Sequence, residues 1–506
     1  MPKVRSAVAV FAVVTVAAAL AGGCGKNRSD ATSSPSGLTP APALDWRACA
    51  LPGQPTRECA TVTVPWRADQ PTGPTVGIAV TRLPASDKDK RIGVLLWNPG
   101  GPGMGGRYVP AALLPGELSE RFDLIGFDTR GIFDSGALPE CGETTGALEQ
   151  LAGSTSLDAL GDRPQLEQDA AAYADTCVRT LGGADVAGHL GSRDTARDME
   201  AIRIALGEDK LNLLMASYGT VYAQAYLAAY PQHVRAAVLD SAVDPSRSGI
   251  RAVTDASGTL EEKSYTSREQ VEAAREQLRS RLSGFTPWCS RHAQSCPVHA
   301  DPAAAADVAA GVDGVAPDVD EARISTVQSA AQAVALVPDR WPDLAKALAA
   351  APTDDLAALR NLAAEGFPSD IGNPFPPTHD LGYSLGVTCA DYAWGATPAA
   401  VLDDFVQEAP TAAHAAASYL PCGSWPRPEP ALGALGGDGV RPLILNSAND
   451  PRTDLEGARA VGDRFHSTVI SYPGRTHIAV ISGVECAQDA ATAYLLSGSL
   501  ENIPGC

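Results

Sequence analysis

Two kinds of apolar pattern follow one another along the chain. Between residues 57 and 82, short alternating runs such as Ala60-Thr61-Val62-Thr63-Val64 and Val76-Gly77-Ile78-Ala79-Val80 are separated by Pro/Gly turns, which predicts an antiparallel start to a sheet. Beyond that point the apolar runs become continuous: Ile92–Trp97, Phe122–Phe127, Leu211–Ala216 and Val234–Leu239. Runs without alternation suit strands buried on both faces. Helical periodicity lies between and after them, at Asp194–Leu206 and Thr220–Tyr230. Two more strands are expected at Pro442–Ser447 and Ser467–Tyr472, with helices at Thr453–Arg464 and Glu485–Leu496. The alternation predicts an α/β class with a mostly parallel sheet covered on both faces. Between Asp240 and Arg441 lie roughly 200 Ala-rich residues with helical periodicity at Ser267–Leu282, Ile324–Leu336 and Asp354–Ala364. That is too long for a loop in a compact domain, so it is expected to be a helical cap inserted into the sheet domain.

The N-terminus carries a different pattern. Lys3 and Arg5 precede an apolar stretch from Ala7 to Ala21 and then Gly22-Gly23-Cys24, the parts of an export signal, too short for a comfortable membrane span. Small residues directly before a cysteine resemble a bacterial lipobox, with Leu20 one position earlier than that motif usually has it. On this reading Cys24 becomes a lipidated first residue. The alternatives are a plain signal peptide cut nearby and an uncleaved anchor. Residues 25–44, rich in Ser, Thr, Pro, Gly and Ala, read as a solvated tether. The expected organisation is therefore signal 1–23, lipidated tether 24–44, core 45–245, cap 246–440 and core again 441–506.

Composition adds limits. The chain has 506 residues, 45% of them hydrophobic and 19% charged, enough for a large core and unlike a disordered chain. A formal charge of −20 argues against nucleic acid as a partner and favours a cationic substrate. The 11 cysteines include no C-x-x-C pair, which points to disulfides in an oxidising compartment rather than to zinc or redox motifs.

Candidate chemistry begins at Leu211-Asn212-Leu213-Leu214-Met215-Ala216-Ser217-Tyr218-Gly219-Thr220, where a buried-strand pattern runs straight into a helical one with a serine at the junction. A nucleophile elbow is built this way, with small residues two positions either side of the serine. Gly219 fits, and Met215 stands where glycine is usual. A hydrolase of this type needs an acid and a histidine later in the chain, in that order, each after a strand. Asp450 follows Leu443–Ala448, and His477 follows Val469–Thr476. Asp454 is the rival acid and His466 a poorer histidine. The glycine loop Trp97-Asn98-Pro99-Gly100-Gly101-Pro102-Gly103-Met104-Gly105-Gly106 stands where oxyanion donors are required, and the N–H groups of Gly101 and Tyr218 are the candidates. The same loop also satisfies a dinucleotide fingerprint at Gly101, Gly103 and Gly106, with Asp128 some twenty residues on. Pro110 and Pro115 break the helix which that reading needs.

With these residues in view, the chain resembles the secreted actinobacterial α/β-hydrolases of the tripeptidyl and prolyl aminopeptidase group, including mycobacterial cell-envelope serine hydrolases. The resemblance rests on Glu58-Cys59-Ala60-Thr61-Val62-Thr63-Val64-Pro65, Asn98-Pro99-Gly100-Gly101-Pro102-Gly103, Asp123-Leu124-Ile125-Gly126-Phe127-Asp128-Thr129-Arg130-Gly131 and Asp194-Thr195-Ala196-Arg197-Asp198. It continues in Ser217-Tyr218-Gly219-Thr220, Cys422-Gly423-Ser424-Trp425-Pro426, Asn449-Asp450-Pro451, Glu456-Gly457-Ala458-Arg459, His477 and the closing Cys486 and Cys506. It implies an α/β-hydrolase core with a helical cap, no metal and no cofactor, and removal of short N-terminal peptides or related acyl-transfer hydrolysis. Carried over by position, Ser217 is the nucleophile, His477 the base and then acid, and Asp450 the group that orients it. Asp128, Arg130 and Asp240 also match family loops and are equally well explained as residues that hold turns.

Ten cysteines beside Cys24 allow on the order of a thousand connectivities. Near-neighbour positions give the expectation of sequential pairing: Cys49 with Cys59, Cys141 with Cys177, Cys289 with Cys296, Cys389 with Cys422 and Cys486 with Cys506. Three function classes remain: a serine peptidase acting on peptides at the outer face of the membrane through its lipid anchor, a carboxylesterase or lipase on the same machinery, and an inactive binding lipoprotein. An aminopeptidase must also pair the substrate's ammonium, and Asp391, beside Cys389, Tyr392 and Trp394, is the cap acid considered for it.

Overall fold

The structure, a computed structural model, describes residues 44–51, 57–142, 144–152, 157, 162–257, 275, 278–279, 282, 285–313, 323, 326–327, 330–331, 334, 340–351, 356–365, 381–410, 412–450, 452–473 and 476–506. The expected signal, Cys24, the tether up to residue 43 and most of the helix expected at Ser267–Leu282 lie outside the described residues.

Among the described residues nine strands form one sheet: β1 (Arg47–Cys49), β2 (Arg57–Pro65), β3 (Thr75–Leu83), β4 (Gly93–Asn98), β5 (Phe122–Phe127), β6 (Leu211–Ala216), β7 (Val234–Asp240), β8 (Leu443–Ser447) and β9 (Val469–Tyr472). Their order is β1-β2-β3-β5-β4-β6-β7-β8-β9. The first three strands and the β3–β5 pairing are antiparallel, and every pairing from β5 through β4 to β9 is parallel. Strands β4, β5, β6 and β8 are buried at every position, which accounts for their continuous apolar runs. Period-two geometry then divides each between two cores. Val94 and Leu96 of β4 pack on one side with Leu213, Met215 and Leu239, while Leu95 and Trp97 pack on the other with Leu214, Ala216 and Val238.

The helices that position the site are α1 (Arg163–Thr180), α2 (Ser192–Leu206), α3 (Gly219–Ala229), α4 (Leu381–Asp391), α5 (Pro398–Glu408), α6 (Ala413–Tyr419), α7 (Leu455–Arg464) and α8 (Glu485–Ser497). Met199 and Ile202 of α2, Val221 and Tyr222 of α3 and Val461 of α7 cover one face of the sheet. Ala487, Ala490, Tyr494 and Leu495 of α8 cover the other.

The segment 246–440 does not pack as one cap. Residues from Leu278 to Leu362 share a separate core that includes Phe285, Leu344, Leu348 and Leu359. By contrast, Tyr383, Leu385 and Val387 of α4 pack into the core of the sheet. Val401, Leu402 and Phe405 of α5 and Ala415 and Ala416 of α6 bury against Leu166 and Ala170 of α1. Burial in this stretch follows space rather than chain order. Among the described residues five disulfides join Cys49 to Cys59, Cys141 to Cys177, Cys289 to Cys296, Cys389 to Cys422 and Cys486 to Cys506. Bonds of this kind persist in oxidising compartments.

Candidate active site

Ser217 sits between β6 and α3 at φ +51°, a left-handed conformation that an L-residue adopts at a cost of order 1–3 kcal/mol. The turn is held because the Ser217 N–H donates to the Asp240 carbonyl at 2.9 Å. The two positions flanking it are not equivalent. A Cβ on Gly219 would lie 2.6 Å from the Asn98 carbonyl oxygen, so only glycine lets α3 pass that strand end. Met215 needs no such clearance, since its side chain is fully buried in the packed face of the sheet with Leu213 and Val221.

His477 comes to this serine from the loop after β9. Its Nε2 lies 3.0 Å from Ser217 Oγ, and its Nδ1 lies 3.0 and 3.1 Å from the two carboxylate oxygens of Asp450. Asp450 also accepts from the N–H groups of Arg452 (2.9 Å) and Thr453 (3.0 Å) and from the Ser241 hydroxyl (2.8 Å). Burial alone would push this carboxyl up, but the hydrogen bond and charge of His477, the Arg452 N–H and the Ser241 hydroxyl outweigh it and hold Asp450 below its ordinary value. The acid therefore stays ionised opposite the imidazole.

Two residues behind the histidine set its loop. Ser241 donates to Asp450 and accepts from the Ile478 N–H at 2.8 Å, with Ile478 itself at φ +65°. Asp240 accepts from the N–H groups of Ala479 (2.9 Å) and Val480 (2.8 Å), and burial pushes it up to about 6 despite those bonds. Nothing in the pattern around Ser241 singled it out, because its partners come from strand ends more than 200 residues away. The rival acid has other partners. Asp454 caps α7 through the Gly457 N–H at 2.6 Å and pairs with Arg247 at 2.9 Å. His466 is exposed and faces Asp438 at 3.4 Å.

The glycine loop lies directly against the elbow. The Asn98 side chain accepts from the Gly100 N–H at 2.8 Å and donates to the Phe127 carbonyl at 3.2 Å, which ties the loop to β5. Among the described residues the N–H groups of Gly101 and Tyr218 have no protein acceptor. Gly100, at φ +90°, is the residue whose missing side chain matters here. A Cβ there would stand 2.5 Å from the amide nitrogens of both Tyr218 and Gly219. Gly100→Ala is therefore expected to lower kcat by about 10²-fold or more, the loss that follows removal of one oxyanion donor. The check is steady-state turnover on protein whose circular dichroism matches the parent, and a near-parental kcat would mean the donors lie elsewhere.

The dinucleotide alternative fails on geometry. No helix begins at the glycines, since a short 3₁₀ turn at Ala111–Leu113 follows them. Asp128 is fully buried and takes the Arg107 guanidinium at 2.7 Å, so no ribose can reach it. Arg130 is likewise spent inside the fold on Asp198 at 2.6 and 2.8 Å. Asp391 also departs from expectation. It is only 2% exposed and accepts from the Ser192 N–H (2.7 Å), the Ser192 hydroxyl and the Tyr218 hydroxyl (2.8 Å), so it is not open to a substrate ammonium. Burial pushes its carboxyl up to about 6 against these bonds.

Comparison with known proteins agrees with this geometry. A model of the alpha/beta hydrolase fold matches residues 93–286, and a model described as TAP-like protein matches residues 409–505. Serine protease Hip1 of Mycobacterium tuberculosis is 28% identical over 475 residues, covering 87% of this chain and 85% of that protein. Tripeptidyl aminopeptidase of Streptomyces coelicolor is 29% identical over 479 residues, covering 90% and 84%. Carboxylesterase B of M. tuberculosis is 29% identical over 506 residues, covering 93% and 92%. A serine raised on a strand–helix elbow, the parallel sheet beneath it and both family models lead to one conclusion: the chain has the α/β-hydrolase fold with a TAP-like C-terminal region and is a serine hydrolase.

Proposed function

We propose that this protein is an exported serine peptidase that releases single residues or short peptides from the N-termini of its substrates through an acyl-enzyme. The observation that carries the reading is the continuous line from Ser217 Oγ through both ring nitrogens of His477 to Asp450, each contact 3.0 to 3.1 Å long. Ser217 Oγ attacks the scissile carbonyl carbon while His477 Nε2 takes its proton, and the negative oxygen of the tetrahedral intermediate turns to the Gly101 and Tyr218 N–H groups. His477 then gives the proton to the departing amine, leaving an ester on Ser217. Water enters, loses a proton to the same nitrogen, and releases the acyl group as a free acid.

The relatives named as a serine protease and a tripeptidyl aminopeptidase support peptide substrates, and the charge of −20 suits a cationic N-terminus. The same machinery cleaves esters, and the carboxylesterase B relative supports a carboxylesterase as the second reading. The two separate on one pair of substrates. Peptides with a free N-terminus are expected to exceed their N-acetylated forms by about 10²-fold in kcat/KM, because acetylation removes the charge that a desolvated acid or carbonyl would pair. Equal rates on both, or faster turnover of short acyl esters than of any peptide, would move the assignment to the esterase.

The sequence around Cys24 and the disulfides support export with a lipid anchor, which holds the enzyme at the outer face of the cytoplasmic membrane. Cys24→Ser is expected to shift the protein out of the membrane fraction or to block its maturation. Unchanged fractionation would refute the anchor.

A further inference from the structure

We propose that α4, a helix of the 246–440 insertion, braces the oxyanion site from above, with Ser384 and Asp391 as positioning residues for the Gly101 loop and for Tyr218. The proposal rests on Ser217 being the nucleophile.

One helix touches both halves of the site. Near its start, the Ser384 hydroxyl donates to the Pro102 carbonyl at 2.9 Å, immediately after Gly101. The same turn closes over Gly103, where a Cβ would meet Ser384 Oγ at 3.1 Å and the Tyr383 ring at 3.2 Å. The Tyr383 hydroxyl is held by Thr129 Oγ1 at 2.6 Å. Seven residues on, two turns along the same face, Asp391 accepts from the Tyr218 hydroxyl at 2.8 Å. Tyr218 supplies the second donor through its backbone.

Each part of this brace is itself fixed. Asp391 is anchored to α2 by the N–H and hydroxyl of Ser192, and the Cys389–Cys422 disulfide ties the end of α4 to the segment ahead of β8. Tyr218 is 7% exposed, and its ring packs edge-on against Tyr222 and Tyr392. With its ring walled and its hydroxyl bonded, Tyr218 has little freedom to rotate, and so neither has its N–H. An oxyanion donor contributes only when it is already aimed before charge develops, so small misplacement costs rate more than substrate binding.

The test uses the full-length enzyme and four variants: Tyr218→Phe, Ser384→Ala, Asp391→Ala and Asp391→Asn. Readouts are kcat and KM on the best peptide substrate, and the Ki of a peptidyl trifluoromethyl ketone, whose adduct carries the oxyanion, against that of the matching peptidyl alcohol, which carries none. Tyr218→Phe and Ser384→Ala are each expected to lower kcat about 10-fold and to weaken the ketone by the same factor. KM and the alcohol Ki should stay within about twofold. Asp391→Asn, which still offers Tyr218 a partner, should keep activity that Asp391→Ala loses. Unchanged kcat and ketone affinity in Tyr218→Phe and Ser384→Ala would overturn the brace, as would a loss confined to KM or to thermal stability. Turnover that survives Ser217→Ala would instead overturn the underlying serine reading.

Discussion

Ser217→Ala is expected to abolish fluorophosphonate labelling and to lower kcat by about 10⁴- to 10⁶-fold, the scale seen when a triad nucleophile is removed. The attacking oxygen is lost while the elbow remains, because alanine pays the same left-handed strain as serine and the Ser217 N–H bond to Asp240 is a backbone bond. His477→Ala should cost a similar factor, since in the proposed mechanism Nε2, 3.0 Å from Ser217 Oγ, is the base that makes the hydroxyl nucleophilic. The two act as one unit, so the double variant should be no worse than either single one. Active-site titration with a fluorophosphonate, together with single-turnover kinetics, checks this. Labelling that persists in Ser217→Ala would point to a different serine.

The second large effect is expected of Asp450→Asn, about 10⁴-fold in kcat with the fold preserved. An amide facing His477 Nδ1 donates where the carboxylate accepted, which leaves the proton on Nε2 and removes the base from Ser217. The surrounding donors make this specific to Asp450: the N–H groups of Arg452 and Thr453 and the Ser241 hydroxyl already hold it in place. Asp454→Asn is the matched comparison. Asparagine caps a helix as well as aspartate does, so the loss of its Arg247 pair should leave kcat within about twofold. If Asp454→Asn did the damage, the acid would be misassigned. Asp450, held below its ordinary range, should stay ionised across the working pH range, so Asp450→Asn should lower the rate at every pH tested. A plateau rate in Asp450→Asn equal to the parent's would contradict its role.

Local pattern was enough for a large part of the molecule. Continuous apolar runs marked β4 to β7 because strands buried on both faces have no polar side to show, and alternation marked β2 and β3. The order of serine, acid and histidine, each just past a strand, was visible because an α/β sheet delivers its strand ends to one edge. The glycine loop announced itself for the same reason. The sequence already preferred Asp450 to Asp454, four residues away, and tertiary structure gives the physical difference: one meets a histidine, the other a helix end and Arg247. Tertiary structure turned Asp391 from a candidate substrate contact into a buried acceptor, because its donors Ser192 and Tyr218 lie 199 and 173 residues earlier in the chain. It also gave Ser241 its bridge and Gly100 its place beside the Tyr218 N–H, and it divided the insertion among three cores. Periodicity records which face of an element is buried, whereas hydrogen-bond partners are set by which distant strand ends and helices the packed core brings together.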